Sequence, residues 1–353
     1  MAYSNSVQKR ENMVRPLIYG HRGMGCSLPG ALSFFPENSM TSFREAQRIG
    51  ADGIELDVFL SKNNELLVMH GYLQKHSLCL TTMKRKADSG IQRFNTDNYV
   101  ESEDVHATDL VLKKPRRLTQ KSIELQEIPQ HNGSNTDIFE EYISNMEQWD
   151  SGECVPTLDQ VLVEFGDSLK YDIELKGSNV DLGLRVLDVL SKHPGLDVVI
   201  SSFQWVAPNL NLSSSHANNP LEQYPNGTDV VDLLGPLINN KLNIPIALLF
   251  NNETSELPSL ERIVECCRHY NATWAVVSHE FWKMGTPILG SDVKGKEAVP
   301  YLVNYMHDHG LKVMSYFLES RPDSDEELQV QIESGMDAVC PNDVVKCLGF
   351  VNK

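Results

Sequence analysis

Four short runs place ionisable side chains where chemistry would need them. In "YGHRG" (19–23), His21 and Arg22 sit between two glycines. In "GIELDVF" (53–59), Glu55 and Asp57 lie two residues apart, so a strand aims both carboxylates at one face. "LLVMHG" (66–71) carries His70, and "DIELK" (172–176) puts Glu174 and Lys176 on one face of another strand. Three carboxylates converging on one point repel each other, and one Arg with one Lys does not neutralise them all. A hard divalent cation with oxygen ligands would, which points to Mg²⁺ or Ca²⁺. No cysteine joins the group, which argues against a zinc thiolate site. Two histidines beside such an ion, with Arg and Lys nearby, suit phosphoryl chemistry. The cations hold the phosphate while one imidazole takes a proton from the attacking hydroxyl and the other protonates the leaving oxygen. Each residue alone also has a plainer reading. A single strand-end His is often hydrogen-bonded structure, and Glu55 and Asp57 could form a structural ion pair with Lys176.

The elements that must bring these runs together alternate along the chain. "LIYG" (17–20) reads as a strand, and "PENSMTSFREAQRIG" (36–50) as a helix begun by Pro36 and ended by Gly50. "TLDQVLVEFG" (157–166) is helical by its apolar spacing, with Thr157 as N-cap. Strands are expected over 169–176, 197–203, 244–250, 273–279, 312–318 and 337–341, and helices over 182–193, 259–270, 296–310 and 325–335. With the runs around Glu55 and His70 this makes nine strands, one too many for a closed eight-stranded barrel. Five residues cannot hold a crossover helix between parallel strands, so "LLVMH" must be an antiparallel return. A turn over 62–65 would then set residue 57 opposite residue 70. The remainder is a (β/α)₈ TIM barrel with an antiparallel hairpin after its second strand, and its site belongs at the carboxyl ends of the strands. Residues 72–152 are polar and lack sustained periodicity. They carry the basic runs "KRK" (84–86) and "KKPRR" (113–117), and read as a solvated insertion, a lid or small subdomain, within one domain spanning 1–353.

Composition narrows the function classes. A formal charge of −17 argues against a nucleic-acid partner, which needs a basic footprint. It also requires any phosphate site to supply positive charge locally. Seven cysteines, an odd number without C-x-x-C spacing, fit reduced thiols and a cytoplasmic location. "MAYSNSVQKRENMVRP" has no apolar core of a secretory signal, and no run of eighteen apolar residues suggests a transmembrane segment.

Taken in order, "HRG" (21–23), "PENSMTSF" (36–43), "GADGIELDVFLSKNNELLVMHG" (50–71), "VPTLDQVL" (155–162), "DIELK" (172–176) and "SSF" (201–203) resemble the glycerophosphodiester phosphodiesterase family, within the PLC-like phosphodiesterase TIM barrels. The resemblance implies hydrolysis of glycerophosphodiesters to sn-glycerol 3-phosphate and an alcohol, with a divalent metal. Residue by residue, it implies Glu55, Asp57 and Glu174 as metal ligands, His21 and His70 as the acid/base pair, and Arg22 and Lys176 as phosphate contacts. It also implies that a neighbouring glycerol hydroxyl attacks first, giving a cyclic phosphate that water opens; the spacing does not show that step. Glu37, in the matching "PEN", has two readings: a partner for Arg22, or a charge at the helix start.

The sequence departs from the family pattern in several places. Gly71 stands where the family often has Asp, and Tyr316 stands where it usually has Trp, keeping an aromatic wall against the substrate. "CPND" (340–343) replaces a frequent "TD-P", and "MGCSLPGALSFF" (24–35) lengthens the segment before "PEN". These changes bear on substrate preference. One alternative is a lysophospholipase D-type phosphodiesterase using "LPGALSFF" (28–35) for an acyl chain; another is a non-catalytic phosphodiester-binding barrel.

Overall fold

The computed structural model describes residues 15–25, 35, 37–61, 64–70, 155–177, 179–206, 231–250, 259–284, 293–317 and 323–352, and the backbone of six short strands between Gly71 and Leu112. Strand β1 (Leu17–Gly20) pairs in parallel with β2 (Gly53–Leu60), and β3 (Leu66–Val68) pairs antiparallel with β2. The ring continues through β10 (Lys170–Leu175), β11 (Val198–Ser202), β12 (Ile246–Phe250), β13 (Trp274–Ser278), β14 (Lys312–Tyr316) and β15 (Ala338–Cys340), which closes back on β1. Eight parallel strands thus form a closed barrel, as expected, with the β3 return outside the ring. Between them in sequence lie β4 (Gly71–Gln74), β5 (Ser77–Leu80), β6 (Met83–Ala87), β7 (Gly90–Gln92), β8 (Tyr99–Val100) and β9 (Leu110–Leu112), in two antiparallel sheets ordered β4-β5-β8 and β7-β6-β9. The rest of 72–152 and the run 28–34 lie outside the described residues.

The hairpin register differs from the expectation by one residue. Val58 faces Val68 and Leu60 faces Leu66, and the Met69 N–H donates to the Asp57 carbonyl at 2.9 Å. Asp57 therefore faces Met69, and His70 follows the strand end. The cause is a connection over 61–65, one residue longer than a 62–65 turn. It is closed by Ser61 N–H to Glu65 O and Asn64 N–H to Ser61 O, both 3.0 Å, with Asn64 in the left-handed region at φ 63°.

Helices cover the outside of the ring. α1 (Met40–Arg48) begins at Ser39, whose side chain accepts the Ser42 N–H, and not at Pro36; Asn38 at φ 57° blocks a helix upstream. α2 (Leu158–Phe165) opens on a capping box of Thr157 and Gln160, and α3 spans Leu182–Leu190. α4 (Leu260–His269), α5 (Ala298–Asp308) and α6 (Asp325–Glu333) follow. α7 (Val344–Val351), capped by Asp343, follows the last strand and was not among the expected elements.

Strand alternation sorts the core into two layers. Ile54, Leu56 and Val58 of β2 and Ile173 and Leu175 of β10 point outward and pack with buried helix residues such as Leu158, Val186 and Leu302. Tyr19, Val199, Leu249, Trp274, Val276 and Met314 fill the lumen. On β2 and β10 the alternate positions are Glu55, Asp57, Asp172 and Glu174, all buried, so one wall of the lumen is acidic and the opposite wall apolar. Among the described residues, no helix is long and apolar enough to cross a membrane.

Candidate active site

Three adjacent strands build the acidic wall. Asp172 lies beside Glu55 and Glu174 beside Asp57 across the β10–β2 pairing, while Gly20 of β1 lies beside Ile54. Past β1 the chain turns sharply, with Gly23 N–H to Gly20 O at 3.0 Å. α1 braces this turn: Ser42 Oγ accepts the Met24 N–H at 2.8 Å and donates to the Arg22 carbonyl at 3.2 Å. The Arg22 N–H donates to Glu55 Oε2 at 2.8 Å, tying the turn to β2.

The side chains named from sequence come together here. Glu55, Asp57 and Glu174 each offer a carboxylate oxygen, all within 4.8 Å of one another. Arg22 Nε lies 3.1 Å from Asp57 Oδ2 and Arg22 Nη1 lies 3.3 Å from Glu37 Oε2. Glu37 is fully buried, lies outside α1 and pairs with Arg22. Lys176 Nζ reaches Glu174 Oε1 at 2.6 Å and Asp57 Oδ1 at 3.3 Å. His21 Nε2 is 3.9 Å from Glu55 Oε2, and His70 Nδ1 is 4.0 Å from Glu37 Oε1. Lys176 thus pairs with two of the three acids of the cluster. Tyr316 stacks edge-on against Phe203 at 5.5 Å, and Lys176 Nζ lies 5.7 Å from the Phe203 ring centre, so an aromatic wall adjoins the charged one.

Burial governs the charge states. It pushes the Glu55 carboxyl well above the ordinary range, reinforced by the Asp57 and Glu174 charges and opposed by Arg22. Burial also raises Glu174, to about 6, against the pull of Lys176. Burial works against the Asp57 charge too, yet Arg22, Lys176, His70 and the Asn38 amide, which donates at 2.8 Å, hold it well below the usual carboxylate range. Among the described residues, Glu55 Oε1 is a buried oxygen without a hydrogen-bond partner, while Asp57 Oδ1 faces the Lys176 ammonium at 3.3 Å. Three converging buried carboxylates, one with an unmatched oxygen, fit a hard divalent cation.

The profile of the glycerophosphoryl diester phosphodiesterase family matches residues 21–205, just over half of the chain. The chain belongs to that family. A glycerophosphodiester phosphodiesterase of Bacillus subtilis is 27% identical over 222 residues, covering 56% of this chain and 57% of its own. A glycerophosphocholine phosphodiesterase of Candida albicans is 28% identical over 149 residues, 42% of this chain but 12% of the yeast protein. Matches to macaque and mouse proteins with a glycerophosphodiester phosphodiesterase domain span 10% of those longer chains. The barrel is similar in fold to a protein from Silicibacter pomeroyi at 15% identity and TM-score 0.61, covering 96% of this chain and 93% of that one. It is likewise similar to an Oleispira antarctica phosphodiesterase, solved with the product sn-glycerol 3-phosphate, at 17% identity and TM-score 0.55, covering 96% and 98%.

Some residues of the site were not identified from sequence. Asp172 is a fourth buried acid one layer deeper in the lumen, raised to about 7 by burial and by the charges of Glu174 and Asp57. Its signal was present in "DIELK", at the same alternation as Glu174. Asn342 meets His21, and Asp323 meets Asn342, through the closure of β15 onto β1, which no local pattern announces. A second group, His279, Glu280 and Glu327, also gathers within 4.8 Å. There Glu327 caps α6 through Ser324 and meets His279 Nε2 at 3.5 Å, and His279 stacks on Phe317, so the group ties the end of β13 to α6.

Proposed function

We propose that this protein is a metal-dependent phosphodiesterase that hydrolyses small glycerophosphodiesters to sn-glycerol 3-phosphate and an alcohol. The observation that carries the reading is the buried trio Glu55, Asp57 and Glu174, with Glu55 Oε1 unmatched, gathered with His21 and His70 and beside Arg22 and Lys176. These three acids would hold Mg²⁺ or Ca²⁺, which when bound offsets the negative charge on the phosphate oxygens. Arg22 and Lys176 supply positive charge in a molecule whose formal charge is −17. Asp57, kept ionised by both cations, fixes where they point. One histidine takes the proton of the attacking hydroxyl and the other returns a proton to the leaving alcohol oxygen. Glu37 stands between Arg22 and His70 and orients both. Tyr316 and Phe203 form the aromatic wall against which part of the substrate rests.

The test is release of glycerol 3-phosphate by the purified chain from glycerophosphocholine, glycerophosphoethanolamine and lysophosphatidylcholine, with Mg²⁺ or Ca²⁺ and after chelation. The two glycerophosphodiesters are expected to turn over, and chelator to abolish that activity. His21→Ala and His70→Ala are each expected to lower kcat about 10²–10⁴-fold, the usual worth of a general acid or base. Turnover of the lysolipid alone would replace this reading with a lysophospholipase D-type activity. No turnover of any diester in excess metal would leave a binding barrel.

A further inference from the structure

His21 has a partner that the metal-site geometry does not require. Its Nδ1 lies 2.9 Å from Asn342 Oδ1, across 321 residues of sequence. The His21 N–H donates to the Pro341 carbonyl at 3.2 Å, so the backbone of β1 and β15 holds the two side chains at one height. The amide of Asn342 is oriented in turn. Its Nδ2 donates to Asp323 Oδ1 at 3.1 Å, while Asp323 Oδ2 accepts the Asp343 N–H at 2.8 Å. His21, Asn342 and Asp323 are all buried. At pH 8 Asp323 is a carboxylate, which only accepts hydrogen bonds, so there the nitrogen of Asn342 must face Asp323 and its oxygen must face His21. Only an imidazole carrying its proton on Nδ1 can bond to that oxygen. In the neutral ring Nε2 then holds the lone pair, on the side of Glu55 and 3.9 Å from its Oε2.

We propose that Asp323 and Asn342 are positioning residues that lock His21 in the Nδ1–H tautomer and present an unprotonated Nε2 to the site. The tautomer follows from the hydrogen-bond chain alone; its value to catalysis rests on the acid/base role proposed for His21. An amide suits the middle position. It transmits the polarity of Asp323 without adding negative charge to a rim that already holds Glu55, Asp57 and Glu174. A purely structural role is the competing account, since Asp323 also accepts the Lys346 ammonium on its carbonyl at 2.8 Å and pins the start of α7.

Asp323→Asn separates the two accounts with almost no change of shape. The new carboxamide keeps one oxygen for the Asp343 N–H and turns its NH₂ toward Asn342. Asn342 must then flip, offering its own nitrogen to His21 Nδ1, which becomes an acceptor, and the imidazole proton moves to Nε2. Long-range ¹H–¹⁵N imidazole spectra of the full chain with Mg²⁺ read this directly, with a His21→Gln spectrum assigning the signals. pH 8 lies above the ordinary imidazole range and above the value of about 7 to which burial pushes the Asp323 carboxyl.

The expected result is the Nδ1–H form in the wild type and the Nε2–H form in Asp323→Asn. With it should come a fall in kcat of about 10²-fold or more at little change in KM. A wild-type Nε2–H form, or an Asp323→Asn protein that keeps the Nδ1–H form, would overturn the proposal. If Asp323→Asn does not fold, Asn342→Ala decides: a mixture of tautomers supports the chain, and an unchanged Nδ1–H form overturns it. A tautomer that switches while kcat holds its wild-type value supports the chain and overturns the acid/base role of His21, so the two failures are distinguishable.

Discussion

Glu55 is where the electrostatic cost of the site concentrates. Burial and two neighbouring carboxylates raise its pKa, Glu174 is raised to about 6 and Asp172 to about 7, against ordinary carboxyl values near ~4. Between roughly pH 4 and 7 the metal-free native state therefore binds more protons than the unfolded chain, and unfolding free energy falls as pH rises through that window. Asp57 is shifted the other way, so its contribution is present above the unfolded value and is lost only as pH falls below it. Urea unfolding in chelator is expected to show lower stability at pH 7.5 than at pH 5. A divalent ion bound to the native state should offset this, by about 2.7 kcal/mol at a hundredfold excess over its dissociation constant. Glu55→Gln should make the metal-free protein more stable at pH 7.5 while raising the metal concentration needed for activity about tenfold or more. An unchanged metal requirement in that variant would remove Glu55 from the ligand set.

Among the elements, the turn between β1 and α1 is the one whose geometry leaves least freedom. Gly23 sits at φ 92°, and a Cβ there would lie 2.4 Å from Ser42 Oγ and 3.0 Å from a Phe43 ring carbon. Gly23→Ala is expected to cost about 1–3 kcal/mol in a denaturant melt and to lower kcat/KM at least about tenfold, because Arg22 and His21 ride on the same turn. Adding Ser42→Ala removes the 2.4 Å contact but leaves Ser42 Cβ at 2.9 Å and breaks the two Ser42 hydrogen bonds that brace the turn, so the double variant should not recover the loss. The sequence made this element partly legible. β1 was read over 17–20 as found, with His21 and Arg22 between two glycines at its end. Thr157 was likewise read as the N-cap that starts α2, since its capping box is local chemistry. The start of α1 was misplaced because Pro36 is a generic helix opener, whereas Ser39 and the left-handed Asn38 decide it. The hairpin register missed by one because two adjacent asparagines offer two turn lengths and only Asn64 adopts positive φ among the described residues of that loop. Contacts made by ring closure, such as Asn342 to His21, have no local period to reveal them.

At the scale of the whole molecule, the barrel brings the ends of its insertion together. Leu67 of β3 forms an antiparallel bridge with Thr157, and the Val68 N–H donates to the Pro156 carbonyl at 2.9 Å. The chain thus leaves the barrel after His70 and re-enters at Val155 alongside the strand it left. Every residue assigned to the site, from His21 to Lys176 and on to Tyr316, lies outside 72–152 in sequence. Closing a loop costs about 0.6 kcal/mol more for each doubling of its length, so a short connection is, if anything, cheaper than the native one. Replacing 72–152 by a short Gly/Ser linker should therefore leave a barrel that unfolds in one cooperative transition and keeps its stabilisation by divalent metal. Hydrolysis of a small glycerophosphodiester should persist, because the acids, the histidines and both cations are retained on strands whose pairing is untouched. Loss of cooperative unfolding would place the insertion in the barrel's core instead. Retained folding with a changed ratio of small diester to lysolipid turnover would place it at the substrate, beyond the reacting phosphate.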